Sequence, residues 1–302
     1  MNGILIIDKP VGLTSHDVVV QVRRLMKTRK VGHTGTLDPF ATGVLLVCVG
    51  TATRLSTFLS KVEKEYVGRI RLGLETDTLD ATGRVIQCLP VPPMDRLTVE
   101  KALSQMRGTI SQQIPLFSAV KRKGIPMYRR ARIGDTSVDP GTREIFVHRL
   151  ELLGMELPYL DMRVVCSSGT YVRMLASDIG RALGCCAHLS ILRRIRCGAF
   201  GLDCSLTMEQ IKADAAANRL ESNIIPMAQA LPSIPYVRVD RYASARIRSG
   251  HLLRCEELPN QPPVGLIRII DQQENLVALG RVMGTDPKRT VQPVCVFPET
   301  SV

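Results

Sequence analysis

Tryptophan is absent from this chain and aromatic residues make up only 4% of it. A sheet that stacks bases on exposed aromatics, as RNA-recognition motifs do, is therefore not expected. No apolar run approaches the ~20 residues needed to span a bilayer. The first eight residues lack the basic n-region and the apolar length of a signal peptide. The nine cysteines are odd in number and include no C-x-x-C pair, which argues against a disulfide framework and for the reducing cytoplasm. Cys185-Cys186-Ala187-His188 has neither the ligand spacing nor the second knuckle of a zinc site, so no metal is expected. Without a P-loop or a metal cluster, a phosphoryl-transfer enzyme is excluded.

What the chain has in excess is positive charge, +12 over 302 residues. It gathers in three runs: Arg23, Arg24, Lys27, Arg29 and Lys30; Lys121, Arg122, Lys123, Arg129, Arg130 and Arg132; Arg193, Arg194 and Arg196. Any one run reads as a solvated face, but three of one sign favour a polyanionic partner through phosphate contacts. A membrane surface fits less well, because no run forms an amphipathic helix with aromatic anchors.

Length and a hydrophobic content of 45% suit one sizeable core plus a smaller domain. Residues 3–8 read as a strand, followed by a helix capped by Thr14 or Ser15 with Val18, Val22 and Leu25 on one face. Val44–Val49 reads as a buried strand. Tyr66, Ile70, Leu72 and Leu74 share one face of the next, with Arg69 and Arg71 on the other. An acidic turn at 76–83, a helix at 96–107, a basic arm from Gln112 to about Arg143 and a strand at 162–167 follow. That strand turns through Ser168-Gly169-Thr170 into a helix stopped by Gly184. Thr207-Met208-Glu209-Gln210 is a capping box. Past a proline-flanked boundary near 228–235 come short strands at 236–239, 265–270, 276–282 and 291–297, a β-rich module. Strands and helices mix without regular βαβ alternation, so the class is α+β.

The segment Gly32-His33-Thr34-Gly35-Thr36-Leu37-Asp38-Pro39-Phe40-Ala41-Thr42-Gly43-Val44-Leu45 holds one carboxylate in a glycine-rich loop ahead of a buried strand. Glycines allow close backbone approach, and Pro39 biases Asp38 away from helix. Asp38 reads as a presented catalytic group. Tyr66, Tyr171, Arg173 and His33 join it as candidates, although each alone has a plain reading as core, surface charge or loop structure.

Together these residues resemble the TruB family of tRNA pseudouridine synthases, whose G-H-x-G-x-L-D-P-x-A-x-G-x-L motif matches 32–45. The resemblance extends through Asp8-Lys9-Pro10, Lys64-Glu65-Tyr66, Thr76-Asp77-Thr78-Leu79-Asp80, Gly169-Thr170-Tyr171-Val172-Arg173, Ala187-His188-Leu189 and Leu192-Arg193-Arg194. It implies a pseudouridine synthase fold, with a central mixed, mostly antiparallel sheet flanked by helices. Residues 1–230 would form the catalytic domain, with an RNA-clasping insertion at about 112–143, and 231–302 a PUA-like RNA-binding domain.

The activity implied is isomerisation of uridine 55 in the T-arm of tRNA, without cofactor, by a cytoplasmic and monomeric enzyme. By the same resemblance Asp38 is the nucleophile and Arg173 its counter-ion. Tyr66 stacks on the target base and is a candidate for removing the C5 proton. Tyr171 and Leu192 wall the pocket, His33 packs against the rearranged RNA, and Asp80 and Lys9 lie close by. Burial would drive a lone carboxylate towards neutrality, which an opposite charge offsets. A stacked base must be flipped out to reach such a pocket. In the arm, Phe117 stands where the family often has Tyr, and Arg130 where a second aromatic is common.

Two other readings share the fold. A non-catalytic tRNA binder or RNA chaperone predicts loss of Asp38, Tyr66 or Arg173, and all are present. The branch of synthases guided by small RNAs predicts extended basic tails, whereas this sequence opens directly on its first strand.

Overall fold

The structure, a computed structural model, describes residues 1–135, 137–258, 262–284 and 288–299. The elements in order are β1 (Gly3–Lys9), α1 (Ser15–Leu25), β2 (Val31–His33), β3 (Thr42–Val49), α2 (Ser56–Leu59) and β4 (Lys64–Leu72). Next come β5 (Leu74–Thr76), β6 (Val85–Cys88), α3 (Arg96–Ser104) and β7 (Gly108–Gln113). The arm then supplies β8 (Lys121–Arg122), β9 (Ile125–Pro126) and α4 (Met127–Arg132). It returns through β10 (Thr142–Glu156), β11 (Tyr159–Cys166), α5 (Val172–Ala182) and β12 (Ala187–Cys197).

The main sheet runs Leu206–Thr207, β1, β3, β12, β4, β11, β10, β7. Most neighbours are antiparallel, as expected, but β3 and β12 run parallel in the middle, pairing Thr42 with Arg193 and Gly43 with Arg194. The loop that carries Asp38 enters β3 at this junction, and α5, which carries Arg173, leads into β12. The topology therefore brings the two sides of the candidate site together.

Period-2 alternation explains why β1 and β3 are apolar almost throughout. Leu5, Ile7, Leu45, Val47 and Val49 face a core with Val18 and Val22 of α1 and Leu175 and Ile179 of α5. Ile4, Ile6, Val44, Leu46 and Cys48 face the opposite way, against Leu55, Leu59, Leu231, Ile270, Leu276, Leu279 and Phe297. The second core joins the main sheet to a five-stranded sheet built from Tyr236–Arg238, Leu253–Arg254, Gly265–Ile270, Leu276–Met283 and Thr290–Val296.

Two details differ from the sequence reading. The strand through Tyr66 does not continue to Leu74: Gly73 takes φ +86° and separates β4 from β5. The C-terminal part also contains a helix, Arg241–Arg248, capped by Asp240. It buries only Ser244 and Ile247, so its sequence shows little apolar periodicity.

Gly43 is the glycine of the 32–45 loop that its fold requires. Its φ is +103°, and a Cβ there would lie 2.1 Å from the Arg194 carbonyl oxygen. The close neighbour is the backbone of β12. Gly43→Ala is expected to cost about 3 kcal/mol or more from backbone strain and steric overlap. A urea midpoint equal to that of the wild type would contradict this packing.

Candidate active site

Asp38 is held by its backbone neighbours. The hydroxyl of Ser15, buried in α1, accepts the Leu37 N–H at 2.8 Å and donates to the Leu37 carbonyl at 3.2 Å. On the other side, the Pro39 carbonyl accepts from Gly12 N–H at 2.8 Å and from Lys9 Nζ at 3.4 Å. Lys9 is fully buried and also donates to the carbonyls of Pro10 and Leu13. Burial lowers its ammonium to about 8. Thr14, not Ser15, caps α1, through a capping box with Asp17, which frees Ser15 for the loop.

Arg173 meets Asp38 from α5. Its Nε lies 2.9 Å from Asp38 Oδ2, and its side chain is 4% exposed against 35% for Asp38. The pair is thus sealed on the arginine side and open to solvent on the carboxylate side. The rest of the guanidinium fork is occupied. Nη1 donates to the Thr78 carbonyl at 2.6 Å and lies 3.6 Å from Asp80 Oδ2, while Nη2 donates to the Phe117 carbonyl at 3.0 Å. A planar fork with fixed donors suits such a crossing of segments. Asp80 is oriented in turn: its Oδ1 accepts from the Thr78 and Thr82 hydroxyls and from Thr82 N–H.

Burial raises the Asp38 carboxyl above the usual carboxylate range. Arg173 pulls against that rise, Asp80 adds to it and Lys9 pulls it back. A carboxylate poised in this way stays ionised largely through its arginine.

Tyr66 and Leu192 come from the paired strands β4 and β12, with Tyr66 opposite Arg194 and Gly68 opposite Leu192. Both are almost fully buried and share one core cluster with Leu37. Burial pushes the Tyr66 phenol up to about 12. Tyr171 sits half-buried at the entry to α5, its backbone held by Gln112. His33, at the end of β2, has a buried Nδ1 without a partner among the described residues. Burial and the nearby Arg194 lower its pKa, so the ring is neutral at physiological pH. Contacts among the described side chains thus join Asp38, Arg173 and Asp80 directly. Lys9 reaches the loop through Pro39, and Tyr66 reaches it through Arg194.

Arg194 corrects the reading of the third basic run. It is 2% exposed, donates to the carbonyls of Val44 and Gly35, and lies over the Tyr66 ring at 6.0 Å. Arg193 pairs with Asp8 at 2.7 Å, and Arg196 with Glu63 and Glu65. These cations brace strands and loops, because β12 lies between β3 and β4. Sequence reasoning also missed Ser15 and Gln112, whose partners are distant in the chain. A polar residue on the apolar side of its element is the one signal that could have marked them.

Among the described residues no helix is long and apolar enough to cross a membrane, and no cluster of His, Cys, Asp and Glu could hold a metal ion.

The chain is similar to known proteins along almost all of its length. Residues 23–172 match the TruB family pseudouridylate synthase N-terminal domain, and residues 173–232 the tRNA pseudouridylate synthase B C-terminal domain. The chain is 40% identical over 289 residues to tRNA pseudouridine synthase B of Syntrophus aciditrophicus (strain SB), covering 94% of this chain and 92% of that protein. It is 42% identical over 284 residues to tRNA pseudouridine synthase B of Syntrophobacter fumaroxidans (strain DSM 10017 / MPOB), covering 92% of each. Among solved structures, that of an H/ACA RNP bound to a substrate RNA containing 2′-deoxyuridine matches with a TM-score of 0.76 and 27% identity. The match covers 98% of this chain and 85% of that one. With a family match across both halves of the main sheet and relatives near 40% identity along almost all of their length, the chain belongs to the TruB family of pseudouridylate synthases.

Proposed function

We propose that the protein converts the uridine at position 55, in the T-arm of tRNA, to pseudouridine, with Asp38 as nucleophile on a flipped-out nucleotide. The observation that carries the mechanism is the Asp38–Arg173 pair, buried on one side and open on the other. An ionised carboxylate facing a pocket can add to C1′ or C6 of a uridine. The C1′–N1 bond breaks, the uracil turns, C5 bonds to C1′, C5 loses its proton and N1 gains one. Substrate and product have the same atoms and oxidation state, so the residues need only supply charge, position and proton transfer.

Tyr66 is assigned to stacking on the flipped base. With its phenol at about 12, forming the phenolate at neutral pH would cost about 7 kcal/mol, which weighs against Tyr66 as the base that takes the C5 proton. Leu192 and Tyr171 wall the pocket, and the neutral His33 ring packs against the RNA. Lys9 and Asp80 set the charge around the pair. The exposed Lys121, Lys123, Arg129 and Arg132 of the arm are suited to phosphates, which position RNA without reading its sequence.

We assign 1–230 to the catalytic domain and 231–302 to a PUA-like RNA-binding domain, acting as a monomer in the cytoplasm. The odd number of cysteines and the lack of a C-x-x-C pair fit that compartment. The higher identity to tRNA pseudouridine synthase B proteins than to the H/ACA RNP structure favours a stand-alone enzyme over a guided one. Incubation of the protein alone with an unmodified tRNA transcript, followed by position-resolved mapping, should place pseudouridine at the T-arm uridine. Binding without conversion would establish the binder reading, and conversion only with an added guide RNA would establish the guided one.

A further inference from the structure

Gln112 lies near the end of β7, where the arm begins, and is 2% exposed. Its amide holds both backbone polar groups of Tyr171. The Tyr171 N–H donates to Oε1 at 2.8 Å, and Nε2 donates to the Tyr171 carbonyl at 3.0 Å. Tyr171 is the N-cap of α5, has an extended backbone and receives no side-chain cap of its own. The Gln112 amide therefore holds the entry to this helix where a capping side chain is missing. Two residues further on stands Arg173, which donates to Phe117, a residue of the same arm, at 3.0 Å. The segment that carries the Asp38 counter-ion is thus held at two points, by the buried Gln112 side chain of β7 at the root of the arm and by the Phe117 carbonyl of the arm itself.

We propose that Gln112 is a positioning residue for the isomerisation: it fixes Tyr171 and the start of α5, and so sets Arg173 against Asp38. The role rests on the assignment of Asp38 and Arg173 to catalysis. It makes the register of β7, at the root of the arm, against α5 a condition for the charge state of the nucleophile. The groups facing Asp38 are Arg173 from α5, Asp80 from the turn after β5 and Lys9 from β1. If Arg173 loses its register, Asp80 keeps acting to raise the Asp38 carboxyl, and Lys9 alone opposes it.

The test compares Gln112→Met, which keeps length and removes both hydrogen bonds, with Gln112→Glu, which keeps an acceptor for Tyr171 N–H and loses the donor. Both are assayed on unmodified tRNA transcript across pH. In Gln112→Met, kcat should fall by about tenfold or more with tRNA Kd within about threefold, and the acid limb of kcat should rise by about one pH unit. Gln112→Glu should show the same upward movement with a smaller fall in kcat.

A residue that only stabilises the fold would lower the melting temperature and leave the acid limb in place, and that result in both variants overturns the proposal. If Gln112→Met does not fold, Gln112→Glu decides. Amide exchange of the wild type adds an independent reading: a Tyr171 N–H that exchanges as fast as an open loop contradicts the clasp. Asp38→Asn in the same assay separates the two levels. An active Asp38→Asn removes the catalytic reading itself, whereas an inactive one beside Gln112 variants of wild-type behaviour removes only the role of Gln112.

Discussion

Asp38→Asn should lower kcat on an unmodified tRNA transcript by roughly 10⁴-fold or more, while tRNA Kd changes by less than about threefold. The amide is isosteric with the carboxylate but is no nucleophile towards C1′ or C6, and a nucleophile has no substitute once removed. Affinity should survive because the exposed cations of the arm, not Asp38, are placed to meet phosphates. The loop should survive as well, because Ser15, Gly12 and Lys9 hold the residues on either side of Asp38 rather than its carboxylate. Filter binding and single-turnover conversion on the same preparation check both halves. Substantial turnover by this variant would remove Asp38 from its role.

The second large effect is expected at Arg173. Replacement by Met leaves Asp38 without its partner and the carbonyls of Thr78 and Phe117 without their donor. Breaking a fully buried pair costs about 3–5 kcal/mol; because the Asp38 carboxylate is open to solvent, about 3 kcal/mol is expected here, roughly 10²-fold in kcat if most of it falls on the transition state.

The pH dependence gives the sign. Asp38 acts as the carboxylate, so activity is present above its pKa and lost as pH falls through it. Burial already raises that pKa, and Arg173 is the leading influence lowering it. Arg173→Met should therefore move the acid limb of kcat to higher pH, with residual activity recovered on the alkaline side. An acid limb that stays in place, with kcat reduced equally at all pH values, would mean that Arg173 serves the fold and not the charge of Asp38. Arg173→Lys should rescue only in part, because an ammonium cannot reach Asp38 and two carbonyls from different segments together.

The parts of the fold legible in the sequence were those governed by local chemistry. Thr207 and Gln210 form the capping box their spacing predicted, and Gly184 ends α5 with φ +77°. The runs at 44–49 and 265–270 are strands because their alternating or continuous apolar pattern admits little else. The Asp38 loop was visible because glycine, aspartate and proline mark a turn, whereas Arg173 after Ser168-Gly169-Thr170 reads equally as surface charge and is marked as the partner of Asp38 only by the family resemblance.

What could not be read depends on pairings across the chain. Ser15 meets a partner 22 residues away, Gln112 one 59 away and Arg194 one 150 away. Nothing in their immediate neighbours distinguishes a buried clasp from a surface polar group. The run Arg193, Arg194 and Arg196 suggested a phosphate patch. Only the position of β12, between β3 and β4, shows that Arg194 points inward and that the other two face Asp8, Glu63 and Glu65. The helix Arg241–Arg248 escaped for a related reason, since two buried residues leave too narrow a stripe to recognise.

The isomerisation releases one hydrogen from C5 for every uridine converted, so tritium release from tRNA labelled at C5 reads the chemistry directly. Measured with excess enzyme in a single turnover, wild-type protein should release one equivalent per tRNA, and Asp38→Asn none, although both bind the RNA equally. Equal release by the two proteins, or none by the wild type while it holds the tRNA, would contradict the assignment of Asp38 as the nucleophile of a pseudouridine synthase.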